Sequence, residues 1–217
     1  MKYLILCLML VGCATQPVEK PVENPAPVVE TPVVEAPVEL AWAKNKNSKQ
    51  WTGELFEVIK GAPLVKYSVS DIGEFCPKYD SLNEQKRLEF WAQLISVMAK
   101  YESNFKPETT YTEDMKDAQG RPVVSRGLLQ ISIESGNGYG CGIKSEQDLH
   151  KSLENLNCGG KILTKLVGQD KRLAGKNEFG KWQGGARYWA VLRGSTKYTK
   201  EALAGIKSYL NGLALCK

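Results

Sequence analysis

Apolar residues recur with a helical period through the middle of the chain: Trp91, Leu94, Ile95 and Met98 follow i, i+3, i+4, i+7 spacing. The stripe predicts a helix over 82–103. Ser81 and Glu84 form an S-x-x-E capping box at its start, and Asn104 with Pro107 marks its end, because the residue before a proline is biased away from helical geometry. Further helices are predicted over 52–60, 145–168 and 199–213. Val123 to Ile131 reads as a small strand element on which Gln130 shares a face with Leu128 while Leu129 points the other way. These elements predict an α+β domain, mostly α, with a minor sheet beside a cleft, occupying residues 41–217.

The apolar stripe ends on a charge. Glu102 falls four residues after Met98 on the same face, where a carboxylate is poorly solvated. Desolvation disfavours the charged form and raises the pKa toward the range where a carboxylic acid donates a proton near neutral pH. Cleaving a glycosidic bond requires such an acid. A solvent-facing glutamate in a fraying last turn is the plain alternative.

Three motifs stand around Glu102. Glu102-Ser103-Asn104-Phe105-Lys106-Pro107, then Gly127-Leu128-Leu129-Gln130-Ile131, then Asn155-Leu156-Asn157-Cys158-Gly159 resemble, in order, the E-S-x-F-x-P, G-L-x-Q-I and N-L/I-x-x-G elements of soluble-lytic-transglycosylase (SLT) type domains in the lysozyme-like superfamily. The resemblance spans about 81–189 and implies a lysozyme-like fold with a glycan cleft. It gives Glu102 the part of catalytic acid and places Ser103, Ser125 and Gln130 among the substrate-binding residues, although Gln130 reads equally well as a structural hydrogen-bonding residue. Two departures stand out. The approach to the second motif, Pro122 to Arg126, lacks the family's glycines and follows an insertion from Glu108 to Gly120, and the A-Y-N-A-G motif is met only as Ala186-Arg187-Tyr188-Trp189-Ala190. Tyr188 is carried over as a site residue and Trp189 is not. Tyr111, Tyr139, Tyr188 and Trp189 are candidate sugar-stacking surfaces, though aromatic side chains are more often core.

What the resemblance implies is cleavage of peptidoglycan at the MurNAc-β-1,4-GlcNAc bond. In hen-type lysozymes a second carboxylate stands shortly before the G-x-L-Q segment; here Ser125 occupies that place. A lytic transglycosylase needs no second carboxylate, since Glu102 can turn from acid to base and activate the sugar's own 6-hydroxyl, releasing a 1,6-anhydro end. That outcome is the first expectation. Glu113, Asp114 and Asp117 in the insertion could supply a second acid, with Glu113 preferred, and hydrolysis by a lysozyme is the runner-up. A non-catalytic wall-binding lipoprotein that only holds glycan in the groove is the alternative from another class.

The N-terminal region has a different character. Lys2 precedes a short apolar run, Tyr3 to Val11, too short to span a bilayer, and Leu10-Val11-Gly12-Cys13 resembles the lipobox of bacterial lipoproteins. The expectation is a signal peptide over 1–12, removed, and a lipidated Cys13 that anchors the chain to a membrane. Ala14 in the next position points to the outer membrane, facing the periplasm. From Pro17 to Leu40, prolines at 17, 21, 25, 27, 32 and 37 alternate with Val and Glu. Residues 13–40 therefore read as an extended tether, with a reach of roughly 75 Å over its last 24 residues at about 3.1 Å each.

Charge and cysteines narrow the partners. The chain carries +5; setting aside Lys2, Lys20 and the five tether glutamates leaves 27 basic and 19 acidic side chains, about +8 on 41–217. That favours an anionic partner such as peptidoglycan with its peptide carboxylates, and no motif supports nucleic acid. Beyond Cys7 and Cys13, Cys76, Cys141, Cys158 and Cys216 leave an even count suited to two disulfides in an oxidising compartment. Of three pairings, Cys141–Cys158 is favoured because both flank one helix entry, and Cys76–Cys216 because it ties the chain end to the start of the fold. No metal or cofactor is expected: the cysteine spacings are not ligand-like and His150 is the only histidine, read as a surface or capping residue. The protein is expected to be a monomer.

Overall fold

The computed structural model describes residues 38–217 of the 217-residue chain. The expected signal peptide, the lipid site at Cys13 and the tether through residue 37 lie outside the described residues. Residues 38–40, which their composition assigns to the tether, belong to the fold instead. Leu40 is buried, and the Glu39 carbonyl accepts from Gln93 Nε2 at 2.9 Å.

Helix α1 (Ser48–Lys60) is followed by short 3-10 turns and by the long α2 (Glu84–Ser103). Strands β1 (Thr110–Lys116) and β2 (Pro122–Arg126) form an antiparallel two-stranded sheet, and α3 (Ile133–Gly138), α4 (Ser152–Asp170) and α5 (Lys197–Gly212) complete the order. The architecture is α+β, mostly α.

Helix α2 occupies the centre of the core. Every residue from Phe90 to Ala99 is buried, so the helix is enclosed on all sides rather than along one stripe. Its polar positions are used as fasteners: Ser96 Oγ accepts from the Ala41 amide at 3.1 Å and donates to the Gln93 carbonyl. Trp91 Nε1 donates to the Tyr79 hydroxyl at 2.8 Å beneath an edge-on cluster of Tyr79, Phe90 and Trp91. Both disulfides join the expected pairs. Cys76–Cys216 ties the C-terminus to the segment ahead of α2, and Cys141–Cys158 fastens the segment after α3 to α4, with Cα separations of 4.7 and 5.1 Å.

Several boundaries differ from the sequence reading. Asn83 caps α2, its Oδ1 accepting from the Lys86 amide at 2.9 Å, while Ser81 ends a 3-10 turn and donates to the Lys78 carbonyl. Helix α1 begins at Ser48, ahead of the predicted 52. The helix expected from 145 begins at Ser152, because Glu146–His150 is a separate 3-10 turn and Lys151 is extended. His150 lies within that turn, its Nδ1 bonded to the Pro107 carbonyl at 2.8 Å. The largest correction concerns the sheet. The supposed inserted loop contains β1, and the strand expected over 123–131 stops at Arg126. Gln130 takes a left-handed backbone (φ 47°), so it lies in a turn, and Leu128 and Leu129 are both buried instead of alternating between faces.

Candidate active site

The three sequence motifs meet in one buried knot below Glu102. Asn155 is fully buried; its Oδ1 accepts from the Leu129 amide at 2.8 Å, and its Nδ2 donates to the Arg126 and Leu149 carbonyls, each at 2.9 Å. The 127–130 turn is thus held by a side chain of α4. Gly127 at its start has φ 80°, and a Cβ there would lie 2.0 Å from the Leu149 carbonyl oxygen, so only glycine fits. Ser103 Oγ donates to the Leu128 carbonyl at 3.0 Å and is shared with the Ala99 carbonyl, which joins the end of α2 to the same turn. Ser103 therefore pins the scaffold and is not among the residues that line the cleft.

Glu102 opens from this knot into a cleft of about 330 Å³ whose other wall is the hairpin. Glu113, Met115, Val123 and Ser125 line that wall, as the two-residue period of paired strands requires. Tyr111 pairs with Ser125 and Thr112 with Val124, and the register breaks between Thr112 and Lys116, where Glu113 lies. Such an irregularity bends a strand and re-aims its side chains. Ser125 Oγ donates to Glu113 Oε1 at 2.7 Å. The serine in the place of a second acid thus holds an acid borne by the neighbouring strand. Asp117 instead closes the hairpin turn with Arg121, and Asp114 does not line the cleft.

Burial raises the Glu102 carboxyl from its ordinary 4.5 to about 8; the negative charge of Glu113 adds to the rise and the Arg193 guanidinium opposes it. Arg193 is itself held on the backbone, donating to the Ala186 and Arg187 carbonyls at 2.7 and 2.9 Å. Burial lowers its pKa, while Glu102 and Glu113 favour its charge. Gln130 lines the cleft with its Nε2 donating to the Gly127 and Thr109 carbonyls, and its Oε1 has no partner among the described residues. Tyr188 lines the cleft as well; burial raises its phenol pKa, and its hydroxyl meets the Ser132 backbone and the Ser135 side chain.

Of the sequence-predicted residues, Glu102, Glu113, Ser125, Gln130 and Tyr188 come together in this cleft. Trp189, not carried over, lines it too and donates from Nε1 to the Leu129 carbonyl at 3.0 Å, bracing the turn that carries Gln130. Arg193 was missed altogether. It follows no motif, and only the packing of α5 and its preceding turns brings it opposite the acids. Tyr111 is 57% exposed and lies outside the lining. Among the described residues no group of three or more His, Cys, Asp or Glu is placed to hold a metal ion, and no helix is long and apolar enough to cross a membrane.

No family model matches this chain, and no curated protein matches it. Three solved structures do. The structure of Bd0314 DslA, wild-type form 2, is 45% identical, covers 82% of this chain and 97% of its own, and superposes with a TM-score of 0.77. Two glutamate-to-glutamine mutants of Bd0314 DslA are 45% and 44% identical, each covering 83% of this chain and 98% of its own, with TM-scores of 0.78 and 0.77. The two substituted glutamates lie eleven residues apart in that chain, the same separation as Glu102 and Glu113 here. At this identity over nearly the whole length of the solved chains, the protein belongs to the family of Bd0314 DslA.

Proposed function

We propose that the chain cleaves the MurNAc-β-1,4-GlcNAc bond of peptidoglycan, by hydrolysis, with Glu102 as general acid and Glu113 as the second carboxylate. The observation that carries the reading is the pairing of the two acids across one cleft, one pushed up to about 8 and the other gripped by Ser125. A protonated Glu102 gives its proton to the glycosidic oxygen as the bond to the anomeric carbon breaks, and the oxocarbenium-like cation faces the charge of Glu113. Water then adds at the anomeric carbon, and its released proton restores the acid. Gln130 and Tyr188, which line the cleft, would contact the sugars, and Arg193 limits the rise in the Glu102 pKa so that its conjugate base remains accessible.

The motif resemblance favours a second outcome, in which the 6-hydroxyl of the sugar replaces water and a 1,6-anhydro end is released. Mass spectrometry of fragments released from purified peptidoglycan separates the two. Reducing ends support hydrolysis, products lighter by one water establish the transglycosylase reading, and the absence of any release moves the protein to the wall-binding class. On the same reading, lipidated Cys13 and the proline-rich tether hold a monomer at the outer membrane within reach of the wall.

A further inference from the structure

A groove of about 640 Å³ runs between the end of α1 and the exposed face of α4, apart from the catalytic cleft but joined to it through two aromatic rings. Tyr188 lines the cleft and Tyr139 lines the groove, and they pack edge-on with centroids 6.0 Å apart. Tyr139 is two residues from Cys141, so the disulfide to Cys158 holds this partition on α4. On the other side Tyr67 lies tight against α4, where a Cβ on Gly168 would come within 2.8 Å of its hydroxyl. The groove is walled by phenol rings and carries two cations, Lys161 and Lys165, one helical turn apart.

Neither cation is paired with a carboxylate among the described residues. Lys161 Nζ donates to the Gly140 carbonyl at 3.3 Å, and Lys165 Nζ stands 5.2 Å from the centre of the Tyr139 ring. No Asp or Glu lines the groove, and Thr164 Oγ1, shielded from solvent, has no hydrogen-bond partner among the described residues. Positive charge and aromatic walls together suit a ligand that presents carboxylates along an extended backbone. The polymer assigned to the cleft carries such groups at regular intervals, as peptide stems on its lactyl ethers.

We propose that this groove binds the carboxylate-bearing peptide stems of the glycan strand whose sugars occupy the catalytic cleft. The assignment rests on the proposed substrate. It makes Lys161 and Lys165 recognition residues for stem-bearing wall, with the Tyr139–Tyr188 pair setting the distance between the sugar and peptide sites.

The test is a pull-down of the full chain, carrying E102Q to prevent cleavage, on wall glycan coupled to beads through its reducing ends, before and after an amidase has removed the stems. The E102Q chain should bind stem-bearing wall about tenfold more tightly than stripped glycan, through two partly exposed charge contacts that weaken with salt. Adding K161E and K165E should erase that preference and leave binding to stripped glycan unchanged. K161Q with K165Q should give a smaller loss at an unchanged melting temperature, which separates recognition from misfolding. Equal binding of the E102Q chain to both walls, or an equal loss on both after charge reversal, would overturn the proposal. If the chain with Glu102 intact binds stem-bearing wall selectively but releases no fragments, the cleavage reading fails and the groove assignment stands. Failure to bind either wall overturns both.

Discussion

Glu102 rises from the last turn of a helix buried on every side from Phe90 to Ala99, whereas Glu113 is carried by a strand exposed at six of its seven residues. The first carboxyl is set by three motifs that share buried hydrogen bonds through Asn155, Ser103 and the Gly127 turn. The second depends on one hydroxyl, that of Ser125, and on the register of a two-stranded hairpin. On the proposed function, the difference follows the work each carboxylate would do. A proton donor needs a desolvated site, which only a packed core supplies, while a group that faces a developing cation has to keep its charge and can remain near solvent.

The contrast breaks most directly at Glu102. E102Q keeps the shape and removes the proton donor, and release of wall fragments should fall by about 1,000-fold. Undiminished release would remove the helical acid from the mechanism. Replacing Asn155 by Ala attacks the scaffold of that same region. Three backbone groups lose their buried partner, and stability should drop by about 3 kcal/mol, read by denaturant melts. A loss below about 1 kcal/mol would mean that the knot is held elsewhere.

The hairpin is the next place to press. E113Q should lower turnover about 100-fold with little change in melting temperature, because the strand contributes little to the core. If the variant released 1,6-anhydro ends at the normal rate, the transglycosylase reading would replace hydrolysis.

The pH dependence sharpens the same comparison. The folded pKa of Glu102, about 8, lies above its ordinary 4.5, so the native state holds this proton more tightly than the unfolded chain. Its contribution is fully present below pH 4.5, falls as pH rises through that window, and is lost above about 8. E102Q should therefore match wild type near pH 4 and exceed it above pH 8 by on the order of 2 kcal/mol, allowing for the open side of the cleft. Parallel melting curves for the two across that range would contradict the raised pKa. Turnover should decline above about pH 8 as the acid is lost. The smallest effect belongs to S125A, which should slow turnover about tenfold by releasing Glu113 while leaving the wall affinity unchanged.

The helical region was readable because its signals are local. A run of apolar residues ending in Glu102 encodes burial within a few turns of one helix, and the cysteine positions were enough to favour both disulfides. Helix starts were less legible. Ser81 and Ser145 carry capping chemistry, yet each serves a short turn placed ahead of the helix. The hairpin gave little signal: Thr110–Lys116 is exposed on both faces and shows no apolar alternation, so nothing marked as a strand what the family resemblance set apart as an insertion. Gln130 was placed on a strand because Leu128 to Ile131 is apolar around it, but Asn155, from a helix 25 residues downstream, folds that segment into a turn.

By itself the sequence determined where the α2 helix carries its apolar stripe and which acid ends that stripe, and it favoured one pairing of the cysteines, because period, desolvation and spacing act along the chain. Only the tertiary structure decided what stands across from that acid. The strand register swings Glu113 toward Ser125, the α4 side chain of Asn155 shapes the Gln130 turn, and the packing of α5 brings Arg193 to face both carboxylates. Those placements depend on contacts between segments far apart in sequence, and no local pattern of residues carries them.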